Sequence, residues 1–370
     1  MNETLYTLSA EGLPPLVADS FIFKGDEGNP LLAPRGVWLH RNKLIVADTG
    51  QNRVFIWNQV PQNEYTIPDV VLGQTDTTDT GRNAGHEVSG NTLQYPSGVW
   101  SDGQRLVVAD AWNHRVLIWH QFPTQHGQVA DVVVGQPDFT QNQPNVKGIG
   151  TPPSAQSLNW PYGVFSDGQK LWIADTGNRR VLFYEQFPTQ NFALADGVIG
   201  KPGFEERDYE SHEPIWPYSV RVSPQGQMMI ADTQYYRTLL WNNWQTALTQ
   251  PADVIVGQPG FEANGMNQFS LFPKQNTLSW TYDAFFYKNG IFVADTGNSR
   301  LLWFDEIPAQ NAAFATNLIG HAHFGTGSEN SNTRYGTDKQ LYWPFSVCIS
   351  ENLLAVADTG NHRIIFFQLY

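Results

Sequence analysis

Three histidines sit where a metal site has to be considered. His114 and His362 hold the same position in two related turns, Asp110 to Arg115 and Asp358 to Arg363, and His212 lies in a separate loop. Three imidazoles converging on one axis could hold Zn²⁺ with a position left for water, as a metal-dependent lyase or hydrolase requires, with Ca²⁺ as the other metal considered. The rest of the chain gives that chemistry little company: no His-Glu-x-x-His, no cysteine pair and no dense carboxylate run. His321-Ala-His323 has a two-ligand spacing but falls in a long polar loop. Gly81, Gly85 and Gly90 are too dispersed to cradle a phosphate, and no Gly-x-Ser-x-Gly elbow is present. The expectation is therefore a protein without a cofactor, with the His114, His212 and His362 metal centre as the alternative.

A second constellation is suited to binding. Trp112, Tyr235 and Tyr236 are bulky residues in turns that are otherwise polar, and Tyr162 and Tyr218 follow prolines at strand starts. Tyrosine and tryptophan offer rigid contact area with a polar tip. Arg221 and Asp283 are charges inside apolar strand patterns, which must pair or meet water. These seven residues are the candidate site.

The elements that position them repeat. Six times an apolar strand runs into an Asp, crosses a short turn, reaches an Arg five residues on and re-enters an apolar strand, the copies lying 57 to 65 residues apart. All six copies keep the Asp and the Arg, so both read as scaffold, with Gly at the third turn position expected to supply a positive φ. Around each turn lie four short strand-like runs separated by turn residues, which is the content of one propeller blade. The prediction is an all-β, six-bladed β-propeller of four-stranded antiparallel blades, forming a single domain over residues 1–370. The last copy lacks a fourth strand, and an N-terminal strand around residues 18–25 is expected to close the ring.

Four long loops, Gly73 to Tyr95, Gly135 to Trp160, Gly257 to Trp280 and Gly320 to Trp343, lead into blades 2, 3, 5 and 6, with a cleft between raised rims as one outcome. Trp160, Trp216, Trp280 and Trp343 recur at strand starts and are expected in the core. At the third position of the first strand the repeat has Gly36, Gly98, Gly163, Ser219 and Ser346, which Asp283 breaks.

The turn Ala357-Asp-Thr-Gly-Asn-His-Arg363, with Val134-Gly-Gln-Pro-Asp-Phe139 and Ser154-Ala-Gln-Ser-Leu-Asn-Trp-Pro161, resembles the signatures of NHL-repeat proteins. The resemblance spans nearly the whole chain. It implies a propeller whose function sits on the face bearing the long loops: a non-catalytic scaffold binding a peptide, a partner protein or a neutral polar ligand.

A net charge of −13 disfavours nucleic acid and anionic membranes as partners. The lone Cys348 excludes an intramolecular disulfide, and Met1 to Thr4 lack the pattern of a secretion leader, which points to the cytoplasm.

Overall fold

The computed structural model describes residue 13 and residues 15–370; the other N-terminal residues, Met1 to Thr4 among them, lie outside the described residues. Six four-stranded antiparallel sheets form the blades of a propeller. Their first strands, which face the axis, are Gly36–His40, Pro96–Ser101, Pro161–Ser166, Pro217–Val222, Thr281–Tyr287 and Pro344–Ser350. Blade 6 takes its outermost strand from the N-terminus: Val17–Phe23 pairs with Arg363–Leu369, from Val17 opposite Leu369 to Phe23 opposite Ile364. Closure in this way leaves no unpaired strand between the first and last blades.

The repeated Asp and Arg hold each blade to its incoming loop. In all six copies the Arg Nε donates to the Asp carboxylate at 2.7–2.8 Å, with both side chains almost fully buried. The other Asp oxygen accepts a backbone N–H just before the first strand, as from Leu32, Gln94 and Tyr342. The remaining guanidinium hydrogens go to loop carbonyls, Arg115 reaching Phe139, Ser89 and Thr92. A buried ion pair whose other donors are also satisfied fixes geometry where a half-paired one would cost stability.

The turn itself corrects the glycine expectation. Positive φ falls on the fifth residue, Asn52, His114, Arg179, Tyr236, Ser299 and His362, and not on the third. Glycine is needed at the third position for space: a Cβ on Gly50 would come within 2.4 Å of the Leu32 carbonyl oxygen, and one on Gly177 within 2.7 Å of that of Asn159.

The long loops are ordered by a side-chain clasp. Asn83, Asn145, Asn267 and Asn330, each at a φ of 48–51°, exchange amide hydrogen bonds with the fourth turn residues Asn113, Asn178, Asn298 and Asn361. Blades 1 and 4, whose incoming loops are short, carry Gln51 and Tyr235 at that turn position instead. Loop length and turn residue therefore vary together.

The connectors between third and fourth strands cover the edge of the preceding blade. Phe192 N–H donates to the Val133 carbonyl and Asn191 Oδ1 accepts from Val133 N–H. Ala312 and Asn311 treat Ile255 in the same way. Backbone groups that would template aggregation are thereby paired within the molecule.

Candidate functional site

Two concentric rings of side chains surround the channel mouth on the face of the long loops. The inner ring is the second residue of each first strand or the residue at its lip: Arg35, Ser97, Tyr162, Tyr218, Tyr282 and Phe345. The outer ring is the residue before the leading Pro or Thr: Ala33, Tyr95, Trp160, Trp216, Trp280 and Trp343. The expected core burial of these tryptophans is not what the structure has. Trp280 and Trp343 are 39% and 43% exposed, and Trp160 and Trp216 are half-buried, because a positive φ at Trp160, Trp280 and Trp343 accompanies side chains that stay on the loop face.

Of the sequence candidates, Trp112, Tyr162 and Tyr218 come together. Tyr95 stacks on Trp112 with centroids 4.5 Å apart, Tyr162 stacks on Tyr218 at 4.7 Å, and Tyr282 meets Tyr218 edge-on at 4.5 Å and Phe345 at 4.1 Å. Burial pushes the Tyr95 hydroxyl up to about 12, and those of Tyr162 and Tyr282 are raised for the same reason. All three are neutral donors near pH 7.

Arg35 closes this arc and was not singled out in the sequence. Its guanidinium lies 4.1 Å from the centroid of Phe345 and 5.1 Å from that of Tyr95. Burial opposes its charge, and the neighbouring hydroxyls of Tyr218, Tyr95 and Tyr282 favour it and hold its pKa above the ordinary value. The available signal was a column of Ser, Tyr and Phe that Arg35 breaks, just as Asp283 breaks a column of Gly and Ser. Arg35, Tyr282, Phe345, Trp280 and Trp343, with Met266 and Glu329, line a cavity of about 480 Å³ over blades 5 and 6. In the blade-5 loop that supplies Met266 to this lining, Phe269, Leu271 and Phe272 are 82%, 86% and 66% exposed.

Tyr236 packs edge-on against Trp280 at 5.4 Å, at the rim of that cavity. Tyr235 stands beside Tyr209 and Arg237 and fills the turn position that holds Asn where a long loop is clasped.

Arg221 and Asp283 lie deeper, on the axis. Arg221 donates to Asp283 Oδ2 at 2.8 Å, and the same oxygen accepts from Ser346 Oγ and Val347 N–H, both at 3.1 Å. The column of small residues explains the placement. A Cβ on Gly36, Gly98 or Gly163 would lie 1.9–2.6 Å from a carbonyl oxygen of the next blade, so blades 1 to 4 abut too tightly there for any side chain. Between blades 4 and 6 there is room, and Asp283 occupies it.

The three histidines are engaged separately. His114 Nδ1 accepts from Trp160 N–H and His362 Nδ1 from Ala33 N–H, each tying a turn to the next blade, as Asn52 does for Tyr95. His212 packs against Phe261. Among the described residues no group of three or more His, Cys, Asp or Glu is arranged to hold a metal ion.

Ring closure, the Asp-to-Arg turns and the clasped loops define a six-bladed β-propeller, the architecture that the motif resemblance implied. No family model matches the chain. Human NHL repeat-containing protein 2 is 23% identical over 371 residues, which is 92% of this chain and 47% of that protein. The chain thus spans about half the length of the curated relatives it matches. Two solved structures from Bacteroides thetaiotaomicron are similar in fold. One, of unknown function, has a TM-score of 0.54 at 10% identity, covering 95% of this chain and 76% of that one. The other, an auxiliary nutrient binding protein, has a TM-score of 0.53 at 15% identity, covering 94% of this chain and 75% of that one. Likeness at this identity concerns architecture alone. Among the described residues no helix is long and apolar enough to cross a membrane.

Proposed function

We propose that the protein is a non-catalytic binding scaffold that receives a partner protein or an extended peptide on the long-loop face. The observation that carries this reading is the exposed apolar side chains of this face: Trp280 and Trp343 line a cavity of about 480 Å³, and Phe269, Leu271 and Phe272 lie on the blade-5 loop that supplies Met266 to its lining. Exposed apolar surface of this kind is what interfaces bury, whereas a neutral polar ligand would gain little from it. Arg35 adds a charge set among aromatic faces, a setting suited to a carboxylate of the partner.

Trp112 supports the same reading. It replaces the spacing glycine of the turn, and its N–H bond to the Gln94 carbonyl is 3.2 Å, against 2.7–2.9 Å where the residue is Gly50, Gly177, Gly297 or Gly360. Stacked on Tyr95 and half-exposed, Trp112 presents a rigid aromatic face that a partner can cover.

The test is a random-peptide display selection on the protein, counter-screened against Arg35→Ala/Trp280→Ala/Trp343→Ala. Enriched peptides should bear aromatic residues and a carboxylate and lose at least tenfold in affinity on the triple variant. A selection that enriches nothing, or peptides the variant binds equally well, would refute the reading.

A further inference from the structure

The opposite mouth of the channel holds a second site. There Trp38, Trp100, Phe165 and Phe285, from the first strands of four blades, wall a cavity of about 460 Å³, and Arg221 forms part of its lining. The Arg221 guanidinium is 5.7 Å from the Trp38 centroid and 5.9 Å from those of Phe165 and Phe285. One of its hydrogens goes to Asp283 and one to the Val220 carbonyl, while Nε is buried without a hydrogen-bond partner. The residue is 6% exposed, so a donor nearly out of reach of bulk water borders an aromatic chamber. A buried donor left unpaired is a cost to the fold that a ligand acceptor would recover.

The charges select the kind of acceptor. Asp283 neutralises Arg221 and Arg105 neutralises Asp102 at the rim, which leaves Asp167 as the further charge of the lining, so a carboxylate or phosphate gains no net attraction. His40, also at the rim, has its pKa lowered by burial and adds no lasting positive charge near pH 7. A cation would meet the guanidinium that already occupies the space between the rings. From these observations we infer that the lower channel mouth binds a neutral, planar, largely apolar molecule through a carbonyl-type acceptor directed at Arg221, with its ring system stacked among Trp38, Trp100, Phe165 and Phe285. The site is separate from the long-loop face, with the Arg221–Asp283 pair lying between the two mouths.

Four probes of one shape separate the alternatives: 2-acetonaphthone, 2-ethylnaphthalene, 2-naphthoate and 2-naphthyltrimethylammonium, titrated against tryptophan fluorescence and checked by calorimetry. The ketone should bind at least tenfold tighter than each of the other three. In Arg221→Met/Asp283→Ser, which removes both charges together and gives position 283 the Ser of blades 4 and 6, the ketone should fall to the affinity of the hydrocarbon. Should that variant not fold, Phe285→Trp, which narrows the chamber and leaves the ion pair in place, should weaken the ketone and the hydrocarbon alike. Equal binding of ketone and hydrocarbon by the unaltered protein overturns the inference. So does a preference for naphthoate or the ammonium probe, or ketone binding that neither variant changes.

Discussion

The fifth residue of each Asp-to-Arg turn does one job with several side chains. It sits at positive φ and, as Asn52, His114 or His362, accepts the N–H that leads into the next blade. His114 is a neutral acceptor here, because burial lowers its pKa to about 4. His321 is lowered to about 4 in the same way, with Nε2–H donating to the Asn298 carbonyl and Nδ1 accepting from Ser331. A histidine whose folded pKa lies below its unfolded value stabilises fully above about pH 6.5. That contribution is lost as pH falls toward 4, at up to about 1.4 kcal/mol per pH unit for each group. After their fourth strands, blades 1, 2 and 4 place Gln74, Gln136 and Gln258 where blade 5 has His321. Urea unfolding of His321→Gln should accordingly show a shallower loss of stability between pH 6.5 and 4.5 than the unaltered protein; equal slopes would remove the histidine from the account.

The Asn clasp is a residue-scale device as well. Asn113→Ala leaves the buried Asn83 amide without its partner and should cost about 1–3 kcal/mol in urea unfolding. The double variant Asn83→Ala/Asn113→Ala should cost less than the two single changes added together, because the pair shares one interaction. Additivity would show that the clasp is not a unit.

At the scale of elements, turn, loop and connector depend on one another. The turn in blade 2 carries Trp112 at the glycine position, so Trp112→Gly should keep or slightly raise the melting temperature while weakening selected peptides several-fold. A variant that melts lower by more than about 1 kcal/mol equivalent would instead make Trp112 a structural residue. The existence of four strands per blade and the position of every turn were legible in the sequence, because strand alternation and turn residues are local signals. The clasp was written there too, in the match of long loops with a fourth-position Asn. It passed unnoticed because the two residues of each pair lie about 30 positions apart and only folding sets their amides face to face. Tyr235 departs from the fourth-position Asn in a blade whose incoming loop is short.

The whole ring is closed by seven residues. Val17–Phe23 buries Val17 and Phe23 and pairs the long, apolar strand Arg363–Leu369. Removing residues 1–23 should lower stability by several kcal/mol and expose that strand to self-association, measurable as a lower melting temperature with concentration-dependent light scattering. An unchanged, monomeric melt would show that the ring does not need its closing strand. The sequence by itself determined the six-fold repeat, the blade content and this closure, because a fixed period of Asp, Arg and strand runs leaves one way to bury each sheet. Only the tertiary structure decided which departures from the repeat meet. It put Arg35 among tyrosines at one mouth and Arg221 among aromatic rings at the other, left Trp280 and Trp343 exposed, and sent His114, His212 and His362 to different neighbours. Those outcomes depend on how tightly adjacent blades approach the axis, a distance set by packing between strands about 60 residues apart and absent from any local pattern.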